Sequence, residues 1–115
     1  MEKFLLDFKK YEITDAGLYY HLNDEFLITH GTRAGQQPAK GELDVHGMSG
    51  MSGHSHKSQV ARKNLYQKTI EWVSIGCLAN FEELTYASTF AFTWDQSFAE
   101  IDYTQKNHQV LIHKI

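Results

Sequence analysis

Phe26-Leu27-Ile28-Thr29-His30-Gly31 opens on a continuous apolar, β-branched run of strand length and stops at a histidine followed by glycine. A run without polar alternation reads as a strand buried on both faces. Working upstream, Asn23-Asp24 marks a turn, residues 18–21 suit a short strand and Asp15-Ala16-Gly17 marks another turn. Phe4, Leu5 and Phe8 fall on a short helical stripe. Downstream, residues 32–38 are polar and contain glycine, so they predict a loop. Pro38 can open a short helix through Val45, with Gly47 as its C-terminal stop. Met48-Ser49-Gly50-Met51-Ser52-Gly53-His54-Ser55-His56 holds two glycines among small residues, which suggests a backbone that approaches something closely. From residue 57 the pattern is mostly strands: a weak candidate at 58–62, a better one at Thr69-Ile70-Glu71-Trp72-Val73-Ser74-Ile75, then 98–103 and 109–113, the last two joined by a hairpin connection. Residues 81–93 carry no clear assignment. The whole predicts a mixed α/β domain, with mostly strands in its C-terminal half.

The chain has 115 residues and a formal net charge of −3, with 42% hydrophobic and 22% charged residues. That is ordinary globular composition for a single domain, 1–115, and not the composition of a disordered chain. The charge gives no basic footprint from which nucleic-acid binding would be predicted and leaves that partner open. Phosphate-bearing substrates stay admissible, because bound metal ions supply local positive charge. Cys77 is alone, so there is no internal disulfide, in keeping with a reducing, cytoplasmic location. The first ten residues are too charged for a signal peptide. No stretch approaches the roughly 18 apolar residues needed to span a membrane.

Two features carry chemistry. In Gly53-His54-Ser55-His56, histidines two apart share a side of an extended segment or splay around a tight turn, and either geometry aims two imidazoles at one metal or at two neighbours. Neutral imidazole suits zinc, iron, nickel and, in mixed sites, manganese. A histidine pair in a surface loop is the other reading. In Thr29-His30-Gly31, a histidine at the end of a buried strand presents a ligand at a sheet edge, or simply ends the strand with its nitrogens satisfied. His21, His46, His108 and His113 have no supporting motif and are expected to be surface or satisfied side chains. Cys77 reads as a buried small residue, and Trp72, Phe90, Phe92 and Trp94 as core aromatics.

Taken together, strand-His-Gly, a loop with a helix, and then Gly-His-x-His resemble the way calcineurin-like metallophosphoesterases finish their active site. Trp72-Val73-Ser74-Ile75-Gly76-Cys77-Leu78 looks like the strand and small-residue turn that follow, and Trp94-Asp95-Gln96-Ser97-Phe98-Ala99 like the next segment. His30-Gly31-Thr32-Arg33 is similar to phage and bacterial members. The resemblance runs from about residue 26 to 103. It implies one half of a four-layer α/β/β/α sandwich, mainly one β-sheet with one or two short helices. It also implies metal-dependent hydrolysis of a phosphate ester, in which two metals clamp the phosphate and activate a bridging water. By motif match, His30 and His54 bind one metal and His56 the other. Arg33 and Lys57 contact phosphate oxygens as charge-assisted donors, or are solvated surface charges.

The chain departs from the family where complete members carry Asp-x-His, Gly-Asp and Gly-Asn-His motifs ahead of these. An Asp-x-His occurs only as Asp44-Val45-His46, between the late motifs; there is no Gly-Asp pair, and Asn107-His108 lacks the preceding glycine. Met1 is therefore expected to begin about where the second half of the family's domain begins. No catalytic residue is assigned. Without a bridging carboxylate to offset the repulsion of two dications, at most one divalent ion (manganese, iron, zinc or nickel), weakly held, is expected. Asp24, Glu42 and Asp44 are the nearest substitutes by sequence. A half-sandwich exposes the face its missing half covers, so a homo-oligomer or a complementing N-terminal chain is expected. The chief alternative is a non-catalytic binding or regulatory protein that retains the half-fold.

Overall fold

The computed structural model describes residues 9–13, 15, 17–80 and 94–115. Its elements are β1 (Tyr19–Asn23), β2 (Phe26–Thr29), α1 (Pro38–His46), β3 (Ser49–Ser52), β4 (Gln59–Leu65), β5 (Lys68–Ser74), β6 (Ser97–Tyr103) and β7 (His108–Lys114). Five strands make one mixed sheet in the order β1-β2-β3-β5-β4, and β6 and β7 pair as a separate ribbon. The two outer pairs, β1 with β2 and β4 with β5, are antiparallel; the central neighbours β2, β3 and β5 are parallel. Parallel neighbours need a crossover, and α1 supplies it between β2 and β3. The architecture is thus mixed α/β, as the sequence predicts.

Helix α1 is bounded by its own chemistry. Pro38 opens it with φ already set, and Gly47 closes it at φ 64°, its N–H donating to the Leu43 carbonyl at 2.9 Å. The helix packs on β3, β4 and β5. Leu27, Ala39, Leu43, Ile70 and Trp72 form the core between helix and sheet, with Met48 and Ala61 against it.

The period of two along β5 sends Ile70 and Trp72 to the helix side and Glu71 and Val73 to the other. On that other side Phe26 is fully buried and meets the His108 ring of β7 at 4.6 Å. His108 Nε2 also lies 3.3 Å from the Glu71 carboxylate. Asn23 Nδ2 donates to the Thr104 and Asn107 carbonyls at 2.8 and 3.3 Å, so the turn after β1 is fastened to the loop between β6 and β7. The helix therefore covers one face of the sheet and the β6–β7 ribbon lies against the other.

The glycine-rich stretch is more ordered than a loop, for its first half is the central strand β3. Gly50 sits directly beneath the Trp72 indole: a Cβ there would collide with Trp72 Cζ3 and lie 2.7 Å from Cη2 and 2.5 Å from the Leu27 carbonyl oxygen. This is the close approach that the glycines suggest. Trp72 is wholly buried as a core aromatic, whereas Trp94 and Cys77 are half-buried. The Phe4–Leu5–Phe8 stripe, Phe90 and Phe92 lie outside the described residues. Among those described, no helix is long and apolar enough to cross a membrane.

Candidate functional site

In open α/β sheets, ligand-bearing loops cluster beyond the carboxyl ends of parallel strands. His30 follows β2, Gly53 to His56 follow β3, and Gly76-Cys77 follow β5, so all leave the sheet at one edge. Register aligns the first two: Thr29 pairs with Ser52, and the Gly53 N–H donates to the His30 carbonyl at 3.0 Å. The two loops thus start side by side, and His30 Nε2 stands 3.1 Å from His54 Nδ1.

That separation fits two chemistries. It is a hydrogen bond when one ring donates to the other. It also matches two ligands on one ion: metal–nitrogen bonds of about 2.05 Å would enclose an angle of roughly 98°, between octahedral and tetrahedral values.

The His-x-His segment is held by the residue between the histidines. Ser55 is buried, with its Oγ 2.9 Å from Ser74 Oγ, and it accepts the Lys57 N–H at 3.3 Å. Ser74 Oγ in turn donates to the Lys57 carbonyl at 2.7 Å. With Ser55 turned inward, His54 and His56 both take left-handed backbone, φ 61° each. Such conformations cost roughly 1–3 kcal/mol apiece at non-glycine residues and concentrate at functional sites. The His56 ring meets Trp94 edge-on at 4.3 Å, and its Nδ1 is buried without a hydrogen-bond partner. Burial, then the nearby His54 and His30, lower the His56 pKa. The shift favours the neutral ring, the form that ligates a metal. Two imidazole nitrogens 3.1 Å apart and one buried, unpartnered imidazole nitrogen are the donors this edge offers to an ion. Among the described residues, no group of three or more His, Cys, Asp or Glu is arranged to hold an ion.

Arg33 and Lys57 differ in their freedom. The Lys57 ammonium donates to the Gly35 and Ala34 carbonyls at 3.0 and 3.4 Å, leaving one of its three N–H groups for another acceptor. Arg33 is exposed, and its stem runs over Gly41: Cγ lies 3.2 Å from where a Cβ would sit. A cleft of about 600 Å³ between α1 and β4 is lined by Lys40, Asp44, Arg62 and Lys63, but by none of the three histidines.

Two supports were not legible as such in the sequence. Glu42, considered as a substitute ligand, is 2% exposed and turned elsewhere. Its Oε1 accepts the Thr32 and Arg33 N–H groups at 2.7 and 2.9 Å, and its Oε2 meets His46 Nε2 at 3.1 Å. Burial raises the Glu42 pKa, but these hydrogen bonds and the His46 ring outweigh it and hold the carboxyl below the ordinary glutamate value. His46 is thus a satisfied histidine, stacked on Trp72 at 4.9 Å. The only trace of this in the sequence is the Glu42/His46 spacing of four on one helix. Asp95 is the other support. Its carboxylate accepts the Ser58 N–H at 2.9 Å and the Ser58 hydroxyl at 2.5 Å, and its backbone N–H donates to the His56 carbonyl at 2.8 Å. Asp95 so ties the histidine loop to the start of β6.

No family model matches the chain, and neither a curated protein nor a solved structure was found that matches it.

Proposed function

We propose that this chain carries the late ligand half of a metal-dependent phosphoester hydrolase of the calcineurin-like type, with little or no turnover alone. One observation carries the reading: His30 and His54, 24 residues apart, bring nitrogens to 3.1 Å at the carboxyl edge of parallel strands. A helix on one face of a five-stranded sheet and a two-stranded ribbon against the other support a layered α/β arrangement. His30 and His54 hold one divalent ion (manganese, iron, zinc or nickel) and His56 faces a second position. When bound, such ions polarise a phosphate oxygen and lower the pKa of water. Arg33 and the remaining Lys57 N–H steady the anionic ester by charge-assisted bonds. The free Cys77 thiol suits a cytoplasmic setting.

The test has two arms. Zinc or manganese titration followed by calorimetry is expected to show one weak site, lost in His30→Ala and His54→Ala. Hydrolysis of an aryl phosphodiester with manganese is expected to stay at the level of a His54→Ala/His56→Ala control. Absence of any histidine-dependent metal binding sinks the reading.

A second reading, a non-catalytic protein acting through a second copy or a complementing chain, is favoured by exposed apolar side chains at and beside the edge strand β1. Leu18 is 83% and Tyr19 61% exposed. Sedimentation would show a dimer if this reading holds.

A further inference from the structure

We propose that Glu42 is the positioning residue of the histidine site: its carboxylate sets the path of the turn after β2 and thereby the place of the His30 ring. The inference rests on the reading that His30 and His54 share an ion, and it adds a side chain outside the ligand set.

Lys57 and Gln59 hold the later carbonyls of this loop, at Ala34, Gly35 and Gln36, whereas Glu42 holds the amides of its first residues. Gly31 has φ 92°, a conformation open to glycine and strained for any other residue. A Cβ at that position would lie 2.8 Å from Ser52 Cβ and 3.2 Å from Glu42 Oε1, so the glycine is wedged between β3 and the carboxylate. On one side the His30 carbonyl is held by the Gly53 N–H at 3.0 Å. On the other, the next two free amides, Thr32 and Arg33, converge on one oxygen of Glu42 at 2.7 and 2.9 Å. The His30 peptide is pinned at both ends, and its ring follows.

Burying a carboxylate this deeply is costly unless it is fully satisfied. Here two amides and the His46 ring do so. An ionised acceptor also holds amides about twice as strongly as a neutral one. A salt bridge to His46 alone would need neither the depth nor the Thr32 and Arg33 contacts. Groups that orient ligands in this way typically change metal affinity 10- to 100-fold when removed.

The experiment uses the full chain, isotope-labelled and metal-free at neutral pH, with Glu42→Gln as the variant and Ile70→Val as a control for general destabilisation. Backbone amide shifts of Thr32 and Arg33 and the imidazole nitrogen shifts of His30 and His54 are read by NMR, and zinc affinity by calorimetry. Glu42→Gln is expected to move both amides, to change both imidazole signals and to weaken zinc binding about 10- to 100-fold. Ile70→Val leaves all of these in place. Should Glu42→Gln not fold, Glu42→Asp keeps the charge, shortens the reach by one methylene and is read in the same way. The proposal is overturned if the His30 and His54 rings of the folded variant superpose on those of the wild type. A wild-type chain that binds no zinc, while the variant still displaces the His30 ring, supports the positioning role and sinks the metal reading instead.

Discussion

Replacing Gly50 by alanine is the most incisive test of how the sheet is built. The new methyl enters the space of the Trp72 indole and of the Leu27 carbonyl. Neither can yield easily, because Leu27 lies on the adjoining strand β2 and Trp72 is 0% exposed with its Nε1 donating to Ser52 Oγ at 2.9 Å. Overpacking of this kind costs about 1–3 kcal/mol. If the indole swings away from Ser52, a hydroxyl on a residue 2% exposed loses its partner, which adds about 1–3 kcal/mol. A total near 3 kcal/mol is a large share of the roughly 5–15 kcal/mol that holds a domain together. With a urea slope of about 2 kcal/mol per molar, it lowers the unfolding midpoint by about 1.5 M. Urea titration followed by tryptophan fluorescence and far-UV circular dichroism measures it. The double variant Gly50→Ala/Trp72→Phe separates collision from mere loss of a glycine: a smaller ring makes room, so the two costs should sum to more than the double variant shows. A midpoint shift below about 0.3 M, or strict additivity, would refute the packing argument.

Acidification gives a signed test of Glu42. Its folded pKa is depressed, so its contribution to stability is full above the ordinary glutamate value of about 4.3 and is lost as pH falls through the lower folded value. Wild type should therefore outstrip Glu42→Gln in urea at neutral pH, with the gap closing below about pH 4; a gap that stays constant with pH contradicts this. Gly76→Ala puts a methyl against the Asp95 carbonyl and carboxylate and 2.6 Å from Ser97 Oγ. A cost of about 1–3 kcal/mol is expected, with amide exchange rising at Cys77 and Ser97 more than in β4. Lys57→Met removes two hydrogen bonds to loop carbonyls at an accessible position and should cost under about 1 kcal/mol, measurable by thermal melting.

Much of the local structure could be read from the chain. Helix α1 is announced by Pro38 and stopped by Gly47, both acting through their own backbone torsions. The apolar run of β2 and the alternation of β5 are equally local. β3 was hidden, because Ser49-Gly50-Met51-Ser52 has little intrinsic strand preference. It is a strand because β2 and β5 flank it in parallel and Trp72 needs the space above Gly50. Glu42 was hidden for a related reason: a carboxylate on a short helix defaults to solvent, and only the returning turn at Thr32 and Arg33 makes burial tolerable.

The sequence by itself singled out His30, His54 and His56 as candidate ligands and showed that each sits beside a glycine or in a short turn. Tertiary structure alone decided which of them meet. Local propensities act over a few residues, whereas the His30–His54 approach spans 24 and depends on the Thr29–Ser52 register and on a buried carboxylate from a helix between them. Register is set by burial of a whole face, and no single residue in the chain encodes it.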